Sequence, residues 1–279
     1  MKTGLVLAAA CAALFIVGLQ SAAGAGPGNV TCTDSFAGTA YDLTVPADSD
    51  CELSGATIMH DLIEEPNAGV FAHDGVTVGH DAIMQARADI EASDTTIGRD
   101  LVAGERTSVH VDGGVVIGRD LAATKPGTVQ VGSARVGRDL VINGSPAGPF
   151  VFHDICDTTV GRDFRMTDTV VDFGFTIGDT GANEGCDGSQ GNTIGHDLVV
   201  TGNSALSNDF FGPSSIDVDD NNVAHDLVFS DNTAVPGGYL EVANNSVGHD
   251  AICAANSPDL SKDGPDDGQN LAGHNNSCG

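Results

Sequence analysis

A six-residue phrase returns about ten times along this chain: a variable residue, a β-branched residue, Gly, Arg or His, Asp, and an apolar residue. Its copies read TIMHDL (57–62), TVGHDA (77–82), TIGRDL (96–101), VIGRDL (116–121), RVGRDL (135–140), TVGRDF (159–164), a degraded TIGDTG (176–181), TIGHDL (193–198), NVAHDL (222–227) and SVGHDA (246–251). A repeat of about 20 residues predicts a solenoid, because one unit cannot bury its own apolar face and its neighbours must cover it.

One unit reads as three short strands separated by three turns. Residues 100–103, 108–111 and 115–117 form the strand-like runs, and glycines interrupt the sequence between them. A period of two within the runs excludes an amphipathic helix. The sequence therefore predicts an all-β, single-domain parallel β-helix (β-solenoid) of about ten coils with roughly 20 residues per coil and disulfide-bearing ends.

Stacked coils would align equivalent residues in columns. We expect the last residue of each phrase to form one interior column, and we expect the phrase glycines to need a positive φ. A second interior column is predicted from the β-branched position: Ile58, Val78, Ile97, Ile117, Val136, Val160, Ile177, Ile194, Val223 and Val247.

The first 25 residues are typical of a secretory signal peptide. Lys2 precedes an apolar run at 5–19, and small residues at 23–25 offer a cleavage site. Lipidation at Cys11 and an uncleaved anchor are the alternatives. No later stretch is long enough to span a bilayer. The predicted organisation is a signal peptide at 1–25, an N-terminal cap and first coil at 26–56, the β-solenoid at 57–253 and a C-terminal cap or tail at 254–279. We therefore expect a secreted, extracellular or cell-surface protein.

Six cysteines remain after the predicted cleavage, and an even count in an exported chain predicts disulfides. Neighbour pairing gives Cys32–Cys51, Cys156–Cys186 and Cys253–Cys278. Cys32 and Cys51 are one repeat length apart. Equivalent residues in successive coils lie about 4.8 Å apart, within the Cα range of a disulfide. The spacing thus favours the first pair, and the other two span longer segments.

The formal net charge is −28, from 39 acidic and 11 basic residues. Such a surface repels nucleic acid and anionic lipid, and it attracts cations or basic partners. It also suits a high-salt habitat. Trp is absent and aromatic residues make up 5% of the chain, so stacking platforms for sugars are scarce. The expected partner is an unidentified molecule of the extracellular space or cell envelope.

The Arg or His beside each Asp suggests either a metal stripe or a structural corner. Arg occupies the middle copies, and Arg is not an ordinary metal ligand. A column of carboxylates about 4.8 Å apart repels by roughly 1 kcal/mol per neighbour even in water, so turn N–H groups and the adjacent cations should compensate it. A cation-binding stripe at the His-rich ends is the alternative, followed by catalysis. The predicted structural corner is formed by Arg99, Asp100, Arg119, Asp120, Arg138, Asp139, Arg162 and Asp163.

Two segments, 179–192 and 203–222, break the repeat. The acidic run DVDDNN predicts a Ca²⁺ site at Asp217, Asp219 and Asp220, although it lacks the Gly and Glu of an EF-hand loop. A solvated acidic loop is the simpler interpretation. No catalytic and no cofactor-binding residue is predicted, and Ca²⁺ is the one ion considered.

The two Cys-bearing ends support a resemblance. They read C…YDLTVPA…CELSGAT over 32–57 and NSVGHDAIC…NLAGHN…C over 245–278. The chain resembles an uncharacterised family of secreted repeat proteins, frequent in actinobacteria, whose units read V-G-G-[ND]-[LV]. It differs by carrying Arg or His at the second Gly. The resemblance covers nearly the whole mature chain, and it implies a β-helix but no activity or site residues.

A weaker similarity is to bactofilins, which are β-helices that stack end to end and lack a signal peptide. Cys-bearing ends oppose such stacking, so we expect a monomer. An ice-binding solenoid would need a lasting Thr column, and the Thr residues at 57, 77, 96, 159, 176 and 193 are scattered.

Three functions stay open. The leading one is a secreted or cell-surface structural or binding β-solenoid without catalytic activity. The alternatives are a polysaccharide-active β-helix enzyme, a lyase or hydrolase with its site near 179–222, and a calcium-responsive acidic extracellular module.

Overall fold

The computed structural model describes residues 27–148, 151–178, 191–208, 212–260 and 268–278. In these ranges every regular element is a strand, and the three long sheets are parallel. The chain winds as a parallel β-solenoid, which confirms the predicted fold. No helix long and apolar enough to cross a membrane occurs among the described residues.

Sheet 1 has eleven strands, of which two precede the first copy of the phrase and nine begin at the last residue of a copy, with TIGDTG as the exception. They are Val30–Thr31, Leu43–Val45, Leu62–Glu64, Ala82–Met84, Leu101–Ala103, Leu121–Thr124, Leu140–Asn143, Phe164–Thr167, Leu198–Thr201, Leu227–Ser230 and Ala251–Ala254.

Sheet 2 has ten strands and sheet 3 has eleven. The strands of sheet 2 are Ser35–Phe36, Asp50–Ser54, Gly69–His73, Asp89–Ser93, Ser108–Asp112, Thr128–Gly132, Phe152–Cys156, Gly174–Gly178, Ile216–Asp219 and Leu240–Ala243. Those of sheet 3 are Thr39–Ala40, Thr57–Ile58, Val76–Val78, Thr95–Ile97, Val116–Ile117, Arg135–Val136, Thr159–Val160, Thr193–Ile194, Asn222–Val223, Ser246–Val247 and Leu271–Ala272.

The C-terminal coils are longer and carry extra strands. A fourth, three-stranded sheet contains Val170–Val171, Ser204–Ala205 and Thr233–Ala234, and a two-stranded antiparallel pair joins Ser207–Asn208 to Gly212–Pro213. From Leu121 to Leu140 one coil takes 19 residues, whereas from Phe164 to Leu198 it takes 34. The three main sheets continue through these longer coils.

The interior contains the two predicted columns, with one correction. Residues of sheet 1 such as Leu101 and Leu121 stack in register and are fully buried, and Ile97 and Ile117 do the same in sheet 3. Ile177 does not belong to the sheet 3 column, because it lies in sheet 2 opposite Ile155 and Val218. TIGDTG is therefore not a degraded copy of the corner.

The expected positive φ at the phrase glycines is wrong at the corner, and among these glycines it occurs at Gly178 of TIGDTG, which lies in sheet 2. Gly98 and Gly118 do not have it, and the left-handed residues lie at other turns, for example Asp74 and Asp94 just before sheet 3. A Cβ placed on Gly98 would instead collide with the carbonyl oxygen of Gly79, one coil earlier. Glycine is needed because successive turns stack backbone on backbone at this corner.

The disulfides Cys32–Cys51 and Cys253–Cys278 confirm the predicted pairing. The geometric reason given for the first pair is wrong, because Cys51 lies in sheet 2 opposite Val70 while Cys32 directly follows the first strand of sheet 1. The second pair does join successive coils, since Asn276 bridges to Ala251 two residues before each cysteine. Cys156 is disulfide-bonded too, and its predicted partner Cys186 lies outside the described residues, as does the predicted signal peptide.

Candidate functional site

The turn from sheet 3 into sheet 1 stacks the Asp of each phrase into one ladder. The Oδ1 atom of each Asp accepts the backbone N–H of the residue at the same position one coil later, at 3.0 to 3.4 Å. The contact occurs at ten successive steps, from Asp42 and Asp61 at one end to Asp250 and Asn275 at the other. The carboxylate column is thus bound to donors at every step.

In the middle coils Arg completes this ladder. Arg119 donates from Nε to Asp100 Oδ1 at 2.8 Å and from Nη2 to Asp100 Oδ2. Arg138 repeats this two-pronged contact with Asp120, and Arg162 repeats it with Asp139. Each Arg therefore binds the carboxylate of the preceding coil and links the two coils.

These contacts change the acidity of Asp100. Burial alone would raise the pKa of Asp100, but the hydrogen bonds from Arg119 and from the Asp120 amide outweigh it and lower the pKa below its usual value. The guanidinium groups stay half-exposed, which limits what each pair contributes to stability. The ladder therefore favours the ionised form of the Asp100 carboxylate.

In the C-terminal coils four histidines take the place of Arg. The rings of His196, His225, His249 and His274 are stacked, with centroids 4.7, 5.0 and 5.2 Å apart and planes within 9° of parallel. We call these residues, together with Asp197, Asp226 and Asp250, the histidine stripe. In each of the four histidines, Nδ1 is hydrogen-bonded to the Asp of the preceding coil at 2.8 to 3.0 Å.

Each Asp of the stripe lies between two imidazoles. Asp226 Oδ1 is 2.8 Å from His249 Nδ1, and its Oδ2 is 3.3 Å from His225 Nδ1. The hydrogen bond with Asp197 raises the pKa of His225. Burial alone would raise the pKa of Asp226, but its bonds to His249 and to the Asp250 amide lower it. The stripe holds alternating acids and bases in close contact.

Among the described residues, four sets of three side chains bring ligand atoms within 4.8 Å of one another. Three of them overlap within the histidine stripe, and the fourth lies near the N-terminal end at His60, Asp61 and His80. There the two rings are 4.3 Å apart and tilted by 49°. The arrangement can bind a cation through imidazole and carboxylate at either end of the solenoid.

The predicted Ca²⁺ residues are not brought together in this way. Asp217, Asp219 and Asp220 are described, but they are not among the described sets with ligand atoms within 4.8 Å. Asp217 Oδ2 accepts from Ser215 Oγ at 3.0 Å, and Asp219 Oδ1 accepts the Asp220 N–H at 2.9 Å. Asp217 and Asp219 thus each accept a hydrogen bond from a different donor.

Sheet 2 nevertheless carries an unusual acidic patch on its outer face. Burial raises the pKa of Asp217 to about 7, and the negative charges of Glu241 and Asp219 act in the same direction. Burial also raises the pKa of Asp219 to about 7, with a further contribution from the charge of Asp220. Asp217 lies in register with Glu241, and its Oδ1 is buried without a hydrogen-bond partner among the described atoms. Tyr239 adds a hydroxyl to this patch. Such carboxyls exchange protons near neutral pH.

Sequence reasoning missed two ladders of asparagines, which are buried except for the half-buried Asn256. Asn192, Asn221, Asn245 and Asn270 stack at the turn before sheet 3, and Asn203, Asn232 and Asn256 stack beside the fourth sheet. Asn221 Nδ2 donates to the carbonyl oxygens of Ile177 and Asp219. The signal was present in the chain, because Asn stands just before the last three copies of the phrase and Asn270 is the first residue of the NLAGHN that follows them.

Two buried ionisable groups were missed as well. Glu64 is fully buried in the core with both carboxylate oxygens unpartnered, and burial raises its pKa well above the usual value. His153 is also fully buried, and burial lowers its pKa to about 3. Its Nδ1 accepts the Val129 N–H, so Nε2 carries the proton and donates to Ser145 Oγ at 2.9 Å. His153 is therefore a neutral core residue.

Three of the scattered Thr residues form one continuous column with Thr39 after all. Thr39, Thr57, Thr77 and Thr96 follow one another on the outer face of sheet 3. Val116 and Arg135 then interrupt the column, and Thr176 lies in sheet 2. The column is longer than expected but does not run the length of the sheet.

Comparison of this chain with protein-family models, with curated proteins and with solved structures finds no match.

Proposed function

We propose that this chain is an exported, non-catalytic β-solenoid with a structural or binding role at the cell surface or outside the cell. The observation that supports this proposal is the tenfold repetition of one corner contact along the Asp ladder. Catalysis needs a particular set of groups at one place, whereas these side chains hold coil to coil. The disulfides are compatible with an oxidising, extracellular location.

Export and oligomeric state are tested on the native host culture. Mass spectrometry of the protein recovered from medium and envelope fractions should give a chain that begins after Ala25. Light scattering should give the mass of one chain, since both ends carry disulfides. Retention in the cytoplasm with an intact N-terminus, or long filaments, would contradict the proposal.

A polysaccharide-active enzyme is the second candidate, and the acidic patch on sheet 2 favours it. Two carboxyls with a pKa of about 7 beside Tyr239 have the acidity of a general acid or base. Asp217 and Asp219 lie near the C-terminal end of segment 203–222, which breaks the repeat.

The decisive comparison is between Asp217→Asn and Asp154→Asn on a panel of acidic and neutral polysaccharides. Asp154 lies on the same outer face of sheet 2, is largely buried and has a pKa raised to about 6, so it is a matched control. Under the non-catalytic proposal no variant and no wild-type sample releases products. Product release that Asp217→Asn abolishes and Asp154→Asn retains would establish the enzyme instead.

The calcium-responsive module stays a prediction. Calorimetric titration of the mature chain with Ca²⁺ tests it directly, with Asp219→Asn as the variant. Saturable binding that this substitution weakens tenfold or more would support a site in the DVDDNN run, and heat changes that salt removes would indicate diffuse attraction to the acidic surface.

A further inference from the structure

We propose that the histidine stripe binds divalent transition-metal ions of the Zn²⁺ class, through imidazole nitrogens and the carboxylate between them. The inference goes beyond the structural role of the corner, because Arg performs that role without His in the middle coils.

The spacing of the ligand atoms carries the proposal. Zn²⁺ binds nitrogen and carboxylate oxygen at about 2.0 to 2.2 Å, so two ligands of a tetrahedral ion lie about 3.3 Å apart. In the stripe, Nδ1 atoms lie 2.8 to 3.5 Å from the oxygens of the two adjacent carboxylates. The nitrogen–oxygen separations therefore already match those of a metal centre.

The two imidazoles of one set have only a short distance to close. Their ligand atoms lie within 4.8 Å of each other, which is at most about 1.5 Å more than the separation in a tetrahedral site. The rings are about half exposed, so rotation of the side chains meets little resistance. The ion would replace the proton that each Nδ1 shares with Asp, and each Nε2 would keep its own proton.

Charge favours the same ligand. The chain carries a formal net charge of −28, which concentrates divalent cations at its surface. Imidazole then selects transition metals over Ca²⁺ and Mg²⁺, which prefer oxygen ligands.

The number of ions follows from how the sets overlap. His196–Asp197–His225 and His249–Asp250–His274 share no residue, whereas the set around Asp226 uses one His from each. The stripe therefore holds two ions at saturation, or one ion when it is bound around Asp226.

The Arg coils supply the matched control. Arg119 and Arg138 occupy the same position in the column and make the same contact to the preceding Asp. His225→Arg with His249→Arg thus restores a side chain that this corner already accepts, and it removes a ligand from every set in the stripe. His80→Arg in all samples removes the N-terminal set from the measurement.

The experiment is a calorimetric titration of the His80→Arg chain with ZnCl₂ at pH 7.5 in 150 mM NaCl, with and without His225→Arg and His249→Arg. We expect one or two ions per chain with a dissociation constant of about 10 µM or tighter, at least a thirtyfold loss in the double variant, and an unchanged circular dichroism spectrum. A tenfold excess of CaCl₂ should not displace Zn²⁺. Binding should weaken from pH 7.5 to pH 5.5, because protons compete for Nδ1.

Two results would overturn the proposal. One is equal Zn²⁺ binding by the folded double variant, which would assign binding to the acidic surface. The other is no saturable binding by the His80→Arg chain at 100 µM Zn²⁺. A gain of binding in Arg119→His with Arg138→His, which places two imidazoles on either side of Asp120, would support the same geometry independently.

Discussion

The Arg coils in the middle of the solenoid and the His coils at its C-terminal end build the same corner from different chemistry. In both regions the Asp Oδ1 accepts a hydrogen bond from the backbone N–H of the equivalent Asp one coil later, at 3.1 Å for Asp100 and 3.2 Å for Asp197. Arg119 adds a permanently charged fork, whereas His225 adds one titratable nitrogen. The corner therefore needs a donor beside the carboxylate and does not need a particular cation.

The interiors of the two regions differ more than their corners. The position just before sheet 3 holds Val115 and Ala134 in the Arg coils and Asn221 and Asn245 in the His coils, all buried. Longer C-terminal coils leave more backbone to satisfy, and the asparagine amides do so. Only in the N-terminal part does a described core carboxyl, that of Glu64, lack any partner. In the C-terminal coils the buried asparagines satisfy one another by forming a ladder.

The largest expected effect comes from breaking an asparagine ladder. Asn221→Ala removes donors to Ile177 and Asn245 and an acceptor for Asn192, and we expect it to lower the free energy of unfolding by about 4 kcal/mol. Val115→Ala at the same column position should cost about 2 kcal/mol, because it leaves only a cavity. Urea unfolding measures both. Equal losses would contradict the distinction between the two interiors.

Replacing the unpartnered carboxyl should stabilise the N-terminal region. Glu64→Met keeps the volume and repeats Met84, its register partner, and we expect a gain of about 2 kcal/mol at pH 7. The folded pKa of Glu64 is raised, so the unfolded chain loses its proton first and the wild type weakens as pH rises above about 4.3. Thermal unfolding from pH 4 to pH 7 tests this.

The gain from Glu64→Met should shrink at the acid end of that series, where only the cost of burying the neutral, unpartnered carboxyl remains. Glu105→Met, at an exposed turn, is the control and should leave the melting temperature nearly unchanged at every pH. A gain that does not depend on pH would show that packing, and not the carboxyl, is responsible.

Exchanging the two cations should have a small effect on stability. Arg119→His and His225→Arg are each expected to change the free energy of unfolding by less than about 0.5 kcal/mol, since exposed ion pairs contribute little. Asp100→Ala should cost about 1.5 kcal/mol, because it leaves the Asp120 N–H without its acceptor. If an exchange costs as much as Asp100→Ala, the corner depends on the identity of the cation.

The smallest expected effect is a difference in pH response between the regions. His225 has a raised folded pKa, so its contribution is complete below about pH 6.5 and is lost as pH rises through the folded value. Arg119 stays charged throughout. Hydrogen exchange, corrected for intrinsic rates, should show weaker protection of residues 222–230 at pH 8.5 than at pH 6, with residues 116–124 unchanged. Parallel changes in both segments would contradict this.

Much of the corner could be predicted from the chain, because its residues recur at fixed positions of a short phrase. Arg119 and Asp120 were placed side by side by sequence, but that Arg119 binds Asp100 of the preceding coil follows from how the coils stack. The histidines of the stripe could be identified from the sequence, because each stands beside the Asp of a phrase. The parallel stacking of its rings was not, because it depends on the register between coils.

The amino-acid pattern alone determined the winding of this protein: a period of two within strands and of about 20 between phrases is compatible only with stacked short strands. The tertiary structure decided which residue lies opposite which. Ile177 lies in sheet 2, and Cys51 also lies in sheet 2 whereas Cys32 follows a strand of sheet 1. The phrase glycines at the corner allow the backbones of successive coils to approach closely. The physical reason is that repeats record local conformation, whereas register depends on the length of each coil, and the irregular coils vary that length.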